Sequence, residues 1–364
     1  MNKFIAIFTL ACTSVAYAAP HDLYLQSEYF GQPLANQISI SIDAVNETID
    51  IFDIRESEGI TDNSSGDYIG FQVNGLYHLT PALALEGAFW HREIDYSKDT
   101  NKLNTALIAL RYTPEINLVK NDSLTLRASV WRNAAGELTK STATSVNGRT
   151  FDRVDVKNPE DLQFQLDAIF SRKLDQMNQL NAFASLGYSK VSVDKIDIQT
   201  KYQGCAMDLS IAANNQYTGR LMETCTLPNG YIINDLNISG NANEYGLDIQ
   251  KDLHYDSYIA SIGGSWNWRY RQFESQLAYQ YHRLWRSDID DRVSNFGNSP
   301  LKDNHSLGAK FSYILTPQLT AYLQGEIYQR NLIGQVPFLY NGVTASRLDK
   351  RYGLASIGLK FHSF

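Results

Sequence analysis

The sequence predicts an all-β protein, a transmembrane up-and-down antiparallel β-barrel. About a dozen segments alternate apolar and polar residues, and a secretory signal precedes them. No apolar stretch reaches the roughly 20 residues that a membrane-spanning helix needs. Successive side chains of a strand point to opposite faces, so each segment has one apolar and one polar face. In a membrane barrel the apolar face meets lipid and the polar face lines the interior.

The first residues have the form of an export signal. Lys3 supplies positive charge, residues 4–15 are mostly apolar, and residues 16–18 (Ala-Tyr-Ala) have the small-x-small form of a cleavage site. We therefore predict a signal peptide over residues 1–18. The mature barrel is then expected to comprise residues 19–364.

The three cysteines fit an exported chain. Cys12 is removed with the signal peptide, and the alternative of a lipoprotein signal ending at Cys12 is weakened by Thr9, where an aliphatic residue is usual. Cys205 and Cys225 remain as an even pair, which predicts one disulfide outside the cytoplasm. It lies in the polar segment 195–256, and closing a loop of about twenty residues contributes roughly 3 kcal/mol on the chain-entropy model.

The strands follow from the alternation itself. In the clearest segment, the odd positions of 319–327 are apolar or small, whereas the even positions are mostly polar. The same pattern predicts twelve strands with lipid-facing residues in the segments 38–42, 69–77, 83–89, 106–112, 124–130, 162–170, 182–188, 258–268, 277–281, 307–313, 319–327 and 355–361.

The connections between these strands alternate in length. Short ones carry Thr-Pro pairs at 80–81, 113–114 and 316–317, where a proline does not remove a ladder hydrogen bond. The alternation predicts short periplasmic turns and long extracellular loops, of which 195–256 is the longest. A barrel of fourteen strands is the alternative, because residues 231–253 alternate enough to form another hairpin.

Composition agrees with a membrane barrel. The hydrophobic fraction is 43% and the mean hydropathy is −0.31, as expected if only every second strand residue meets lipid. The 22 tyrosines, 16 phenylalanines and 5 tryptophans suit aromatic girdles at the two membrane interfaces. A net charge of −7 argues against nucleic acid as a partner.

The end of the chain resembles Gram-negative outer-membrane β-barrel proteins as a class. Residues 352–364 (YGLASIGLKFHSF) alternate up to Phe361 and end on the aromatic Phe364. The resemblance implies residence in the outer membrane, contact with its lipid and lipopolysaccharide, and recognition of Phe361 and Phe364 by the barrel-assembly machinery. Phe364 is out of phase with Phe361, so His362 falls where an apolar residue is usual, and we predict a bulge there.

The candidate pore-lining residues are charged side chains predicted to point inward. Arg111 and Arg127 fall at one level of adjacent strands, which predicts a basic track that favours anionic or sugar solutes. Asp167 is expected to pair with one of them and to leave a net positive spot. Alternatively, mixed charges pair and fill a narrow barrel. The full candidate set is Glu86, Arg92, Arg111, Arg127, Asp167, Arg269, Glu274, Lys310, Glu326 and Arg330.

The sequence is compatible with three classes of function. A passive channel for small polar or anionic solutes is the leading prediction, because barrels of this strand count lie between filled and open ones. A non-conducting surface barrel whose loops bind a partner or ligand is the alternative, because a loop as long as 195–256 is usually functional.

A lipid or lipopolysaccharide hydrolase is the third class, and it needs a serine and a histidine within hydrogen-bond reach. His305 and Ser306 are chain neighbours and point to opposite faces, while His91 and His254 have no serine beside them in sequence. We therefore predict no enzyme. No cofactor or metal is predicted either, because the acidic clusters at 53–62 and 288–291 suit solvated loops.

Overall fold

Twelve antiparallel strands form one closed barrel in the computed structural model, which describes residues 22–27, 35–45, 67–96, 98–115, 121–146, 149–245, 247–342 and 344–362. The first strand pairs with the last and closes the sheet. With strands numbered along the chain, the barrel consists, in spatial order, of β1 (Gln37–Val45), β2 (Asp67–Thr80), β3 (Leu83–Tyr96), β4 (Asp99–Tyr112), β5 (Asp122–Ala134), β9 (Glu160–Lys173), β10 (Asn178–Ser192), β17 (Tyr255–Tyr270), β18 (Phe273–Arg286), β19 (Asp303–Thr316), β20 (Leu319–Tyr328) and β21 (Tyr352–His362).

The twelve predicted strands are confirmed, and the fourteen-stranded alternative is wrong. Residues 231–253 alternate, but their strands belong to β-structure beyond the barrel wall. Two long connections supply that structure as a seven-stranded sheet and a separate two-stranded one. Their strands are β6 (Glu137–Lys140), β7 (Thr144–Val146), β8 (Arg149–Lys157), β11 (Lys195–Tyr202), β12 (Cys205–Ala212), β13 (Gln216–Leu221), β14 (Cys225–Thr226), β15 (Ile232–Ile233) and β16 (Asn237–Asn241).

The seven-stranded sheet, here called the extracellular sheet, has its own small core. Buried Phe151, Ile198 and Ile211 pack against Ala242 and Ile249 on one face. Its strand order is β16-β13-β12-β11-β8-β6, and β7 also pairs with β8. The predicted loop 195–256 is therefore mostly extended structure that rises from the barrel wall.

The helices are short. They are α1 (Ile249–Asp252), α2 (Ile289–Val293) and α3 (Ala345–Leu348), and 3-10 turns occur at Asp22–Tyr24, Ala242–Tyr245, Ser294–Phe296 and Pro337–Leu339. In the part of the chain that the structure describes, no helix has the length and apolar character needed to cross a membrane.

The outer face of the barrel is apolar at the predicted positions. Leu166 and Leu186 are 66% and 69% exposed, whereas the adjacent Asp167 and Ser185 are 3% and 4% exposed. Such alternation is what a wall with lipid on one side and a packed polar interior on the other requires. Aromatic pairs near the strand ends, such as Phe273 with Tyr313 at 5.0 Å between ring centroids, lie where interfacial girdles are expected.

The face assignment predicts opposite outcomes for two adjacent substitutions. Leu323→Arg should impair assembly, because Leu323 is 55% exposed on the lipid face and an arginine at the bilayer midplane costs about 2–4 kcal/mol. Gln324→Arg should assemble, because Gln324 points inward and donates to Glu326 at 2.6 Å, a bond that arginine can replace. The heat-dependent gel shift of membrane fractions measures both, and equal behaviour of the two variants would refute the register.

Cys205 and Cys225 form the predicted disulfide, which joins the start of β12 to β14 in the extracellular part of the chain. Alkylation of native membranes without reductant should therefore label neither thiol. The double substitution Cys205→Ser/Cys225→Ser should make residues 203–236 more sensitive to protease and leave the barrel's gel shift unchanged, because the link lies outside the wall. Labelling of both thiols in unreduced membranes would contradict the assignment.

Several predictions concern residues outside those the structure describes. These are the signal peptide at 1–18, the acidic cluster at 53–62, and Phe364 with the bulge expected before it. The last described strand, β21, ends at His362, and Phe361 on it is 44% exposed on the lipid side.

Candidate functional site

The barrel interior contains a buried ion cluster. Arg127 on β5 lies opposite Arg111 on β4 and opposite Asp167 on β9 in the strand registers. Its guanidinium contacts both oxygens of Glu86 from β3 at 3.0 Å and donates to Asp167 at 2.7 Å. Arg111 approaches Glu86 at 3.6 Å and donates to the carbonyl of Gln26. The register therefore brings together four of the predicted site residues.

The charge of this cluster differs from the sequence-based expectation. Two guanidiniums, of Arg111 and Arg127, face two carboxylates, of Glu86 and Asp167, so the formal sum is zero. The expected net positive spot set only Asp167 against the two arginines and did not pair the inward-pointing Glu86 with them. Glu86 pairs with Arg127 because both long side chains reach across β4, which separates their strands.

The other candidate residues lie outside the ion cluster. Arg92 is fully buried, stacks over the Trp90 ring at 3.9 Å and donates to Thr105. Lys310 and Glu326 lie on β19 and β20, on the far side of the barrel from the ion cluster. Glu326 is fully buried and accepts hydrogen bonds from Gln324 and Tyr328.

The last three candidates lie toward the ends of the barrel. Arg269 and Glu274 pair at 3.3 Å beside a short turn, and both are partly exposed. Arg330 follows the end of β20, and it pairs with Asp303 and with Asp349 at 3.0 Å. Arg269, Glu274 and Arg330 therefore do not join the ion cluster.

The extracellular mouth is crossed by the connection between β20 and β21, here called the mouth segment (residues 331–349). It leaves the wall at β20 but forms hydrogen bonds with strands that are not its neighbours in the barrel. The Asn133 side chain of β5 donates to the carbonyl of Gln335 at 2.9 Å, and Tyr255 of β17 donates to that of Pro337 at 2.6 Å. In the closed order, β5 lies six strands from β20, so the segment spans the opening.

Apolar packing fixes the mouth segment in place. Its inward side chains are at least nine-tenths buried and join inward-facing apolar residues of the wall in one cluster. The segment contributes Leu332, Ile333, Val336, Phe338, Tyr340, Ala345 and Leu348, and the wall contributes, among others, Trp90, Leu103, Leu107, Trp131, Ile259 and Leu284. This end of the barrel is therefore closed by apolar side chains.

Tyr340 anchors the mouth segment to the wall. The guanidinium of Arg286, the last residue of β18, stacks 3.8 Å from the Tyr340 ring centroid. The Tyr340 hydroxyl donates to Asp290 at 3.1 Å and accepts from the Leu301 amide at 3.2 Å. Burial raises the pKa of Tyr340 to about 12, so its hydroxyl remains protonated as the donor that Asp290 needs.

A second segment, residues 22–27, crosses the half of the lumen nearer the short turns. Ser27 bonds to Ser171 of β9 at 2.8 Å and to Thr125 of β5 at 2.7 Å, while the Tyr24 hydroxyl donates to the Gly325 carbonyl of β20 at 3.4 Å. Gly308 makes room for this segment, because a Cβ there would collide with Tyr24 and Leu23.

Sequence reasoning missed both crossing segments. The mouth segment carried a signal, since Leu332, Ile333, Val336 and Phe338 make it unusually apolar for a solvated loop. In residues 22–27, apolar and polar residues alternate only briefly, and this pattern does not distinguish a lumen-crossing segment from a strand of the wall.

The histidines considered for hydrolysis have other partners. His91 contacts Asn104 at 2.7 Å and Glu93 at 3.4 Å, His305 contacts the Tyr279 hydroxyl at 2.7 Å, and His254 contacts the Val193 carbonyl at 2.9 Å. Within the described ranges, no three acidic, histidine or cysteine side chains are grouped to hold a metal ion.

The closed sheet, its apolar exterior and its polar interior define the class: this chain is a multi-pass outer-membrane β-barrel protein. No protein-family model and no curated protein matches the sequence.

Solved structures that resemble the chain are barrels at low identity. The CymD monoaromatic hydrocarbon channel is 10% identical over 93% of this chain and 89% of its own, with a TM-score of 0.37. The NanC porin is 11% identical over 90% and 99%, with a TM-score of 0.39. The translocator domain of the autotransporter NalP from Neisseria meningitidis is 7% identical over 91% and 90%, with a TM-score of 0.44.

Proposed function

We propose that the protein is an outer-membrane channel for small polar or anionic solutes and that the described conformation is its closed state. The observation that carries the proposal is a polar cavity of about 210 Å³ inside the barrel, lined by Glu86, Arg111, Arg127 and Lys310. A barrel serving only as a surface scaffold has no need of such a cavity.

The nature of the barriers supports the same proposal. The cavity lies between two crossing segments, residues 22–27 and the mouth segment, and neither is a strand of the wall. A segment that is not part of the wall can move while the hydrogen bonds between the wall strands stay intact. A wall strand cannot move without breaking those hydrogen bonds. Displacement of the mouth segment is therefore the opening step. Export through the signal peptide at 1–18, insertion by the assembly machinery and contact with lipopolysaccharide belong to this proposal.

Planar-bilayer recordings of the purified full chain test the proposal. We expect a mostly closed baseline with discrete openings whose frequency depends on voltage. Protein that is shown to be folded by its gel shift, yet never conducts over a wide voltage range, would overturn the channel assignment. The same preparation after heat unfolding is the control for detergent leaks.

One observation favours a second candidate, a non-conducting barrel that binds a partner through its extracellular sheet. Tyr202 of this sheet, and Met222, Tyr231 and Ile232 of the segment that follows β13, are between 48% and 67% exposed. Exposed apolar and aromatic groups of this kind occur at binding surfaces. Silent bilayer recordings would favour this candidate.

A further inference from the structure

The charges around the lumen cavity leave no positive excess. Four cationic side chains line it, those of Arg111, Arg127, Lys310 and Lys360. Among the described residues, four carboxylates either line the cavity or accept hydrogen bonds from side chains that do, those of Asp43, Glu86, Asp167 and Glu326. The formal charges of these eight side chains sum to zero, so this balance does not favour an anionic solute.

One side of the cavity is uncharged. The strands β1, β2 and β20 contribute amide and hydroxyl side chains to its lining, those of Gln37, Ser39, Ser41, Gln72, Asn74 and Gln324. The strand register places Ser39 opposite Asn74 and Ser41 opposite Gln72. Amides and hydroxyls both donate and accept hydrogen bonds, whereas an ammonium only donates and a carboxylate only accepts. This surface therefore matches a solute whose own groups do both, as alcohol groups do.

Two of these amides have hydrogen-bonding capacity for a ligand. Gln37 and Asn74 are half-buried, and Asn74 donates to Gln72 at 3.3 Å. Within the described part of the chain, Asn74 forms no other side-chain hydrogen bond, and the Gln37 side chain forms none. Ser41, Gln72 and Gln324 differ, because each of them donates to a buried carboxylate. A ligand in the cavity would therefore bond first to Gln37 and Asn74.

We propose that the cavity binds one neutral polyhydroxylated molecule, of the size of a single sugar ring, whose hydroxyls exchange hydrogen bonds with Gln37, Ser39 and Asn74. The cavity volume of about 210 Å³ corresponds to roughly seven waters at about 30 Å³ each, which is room for one sugar ring but not for two. The inference rests on the proposed channel function and deepens it by naming the solute class and the residues that bind it.

Equilibrium dialysis of radiolabelled D-glucose against the purified full chain tests the site. An amine-oxide detergent is used, because alkyl maltosides would themselves supply sugar. We expect saturable D-glucose binding that is the same at low and high salt, since a neutral ligand has no charge for salt to screen. D-glucuronate and D-glucosamine carry one negative and one positive charge on the same ring. Both should bind more weakly, because each brings an unpaired charge into a charge-balanced cavity.

The variant Gln37→Met/Asn74→Leu should weaken D-glucose binding on the order of tenfold, because two hydrogen-bonding amides are replaced by apolar side chains of similar volume. Gln179→Met is the matched control and should bind like the full chain. Gln179 is a half-buried inward amide of β10 that donates to Asn181 at 2.8 Å and does not line the cavity. If the double variant fails the gel-shift test of folding, each single substitution is compared with Gln179→Met instead.

Three results would overturn the site: no D-glucose binding by the full chain, equal binding by the folded amide variants, or binding of either charged sugar as tight as that of D-glucose. The binding test and the conductance test fail separately. If D-glucose binds but the folded protein never conducts, the site stands and the channel proposal falls. If the protein conducts, and D-glucose neither binds nor slows the current, the channel stands and this site falls.

Discussion

Replacing the mouth segment with a short glycine-serine turn is expected to convert a mostly closed barrel into a conducting one. Tyr328 and Tyr352 are register partners at the ends of β20 and β21, so a hairpin turn can join these strands without moving the wall. The replacement removes the apolar side chains that cross the opening. Because apolar constrictions close pores by excluding water, we expect the mean conductance to rise by roughly an order of magnitude or more.

Planar-bilayer conductance measures this effect, with the heat-dependent gel shift as the check of folding. The matched control replaces another connection, residues 224–236 of the extracellular region, which does not cross the lumen, together with Cys205→Ser so that no thiol is left. That control should conduct like the full chain. A folded mouth-segment variant that stays silent would mean that residues 22–27 or wall side chains close the lumen, and the non-conducting surface barrel would then be favoured.

A single substitution tests closure by the mouth segment without deleting the segment. Tyr340→Ala removes the ring that stacks on Arg286 and the hydroxyl that bonds to Asp290. The segment keeps its length but loses its anchor. Openings should therefore become more frequent than in the full chain, while the conductance of each opening stays the same. Unchanged opening frequency would show that Tyr340 does not hold the segment closed.

Arg127→Met is expected to lower the free energy of unfolding by about 3–5 kcal/mol, because removing one partner of a buried ion pair leaves the others uncompensated. The Arg127 side chain is 1% exposed and that of Asp167 is fully buried. Methionine fills similar volume but donates to neither Asp167 nor Glu86. Urea-induced unfolding in lipid vesicles measures the change.

Arg172→Met is the matched control, because Arg172 pairs with Asp122 at the exposed rim of the barrel, where water screens the charges. Its unfolding midpoint should stay close to that of the full chain. Adding Glu86→Gln and Asp167→Asn to Arg127→Met should recover part of the lost free energy of unfolding, because the two carboxylates that Arg127 leaves unpaired are then replaced by neutral amides. Equal stability of the Arg127 and Arg172 variants would contradict the buried cluster.

Much of the wall could be predicted from the sequence because its determinants are local. The side chains of a wall strand point alternately to lipid and to the lumen. An apolar residue beside a polar one, as in Leu323-Gln324 or Leu166-Asp167, therefore indicates which face of the strand points outward, even when the neighbouring strand is unknown. The short turns have their own local chemistry, as at Thr316-Pro317. Strand number, closure and membrane residence followed from these signals, as did the pairing of Cys205 with Cys225, the two cysteines outside the predicted signal peptide.

The contents of the lumen were decided by tertiary structure. Arg127 meets Glu86 only because β4 places their strands two apart, and no local pattern encodes the reach of two long side chains across an intervening strand. The mouth segment meets β5 because the barrel closes and brings Asn133 within 2.9 Å of a residue 202 positions away. The sequence by itself determined a twelve-stranded membrane wall, since alternation is local. Tertiary structure decided that the lumen is crossed at both ends and that Glu86 pairs with Arg127, since contacts across a closed barrel are non-local.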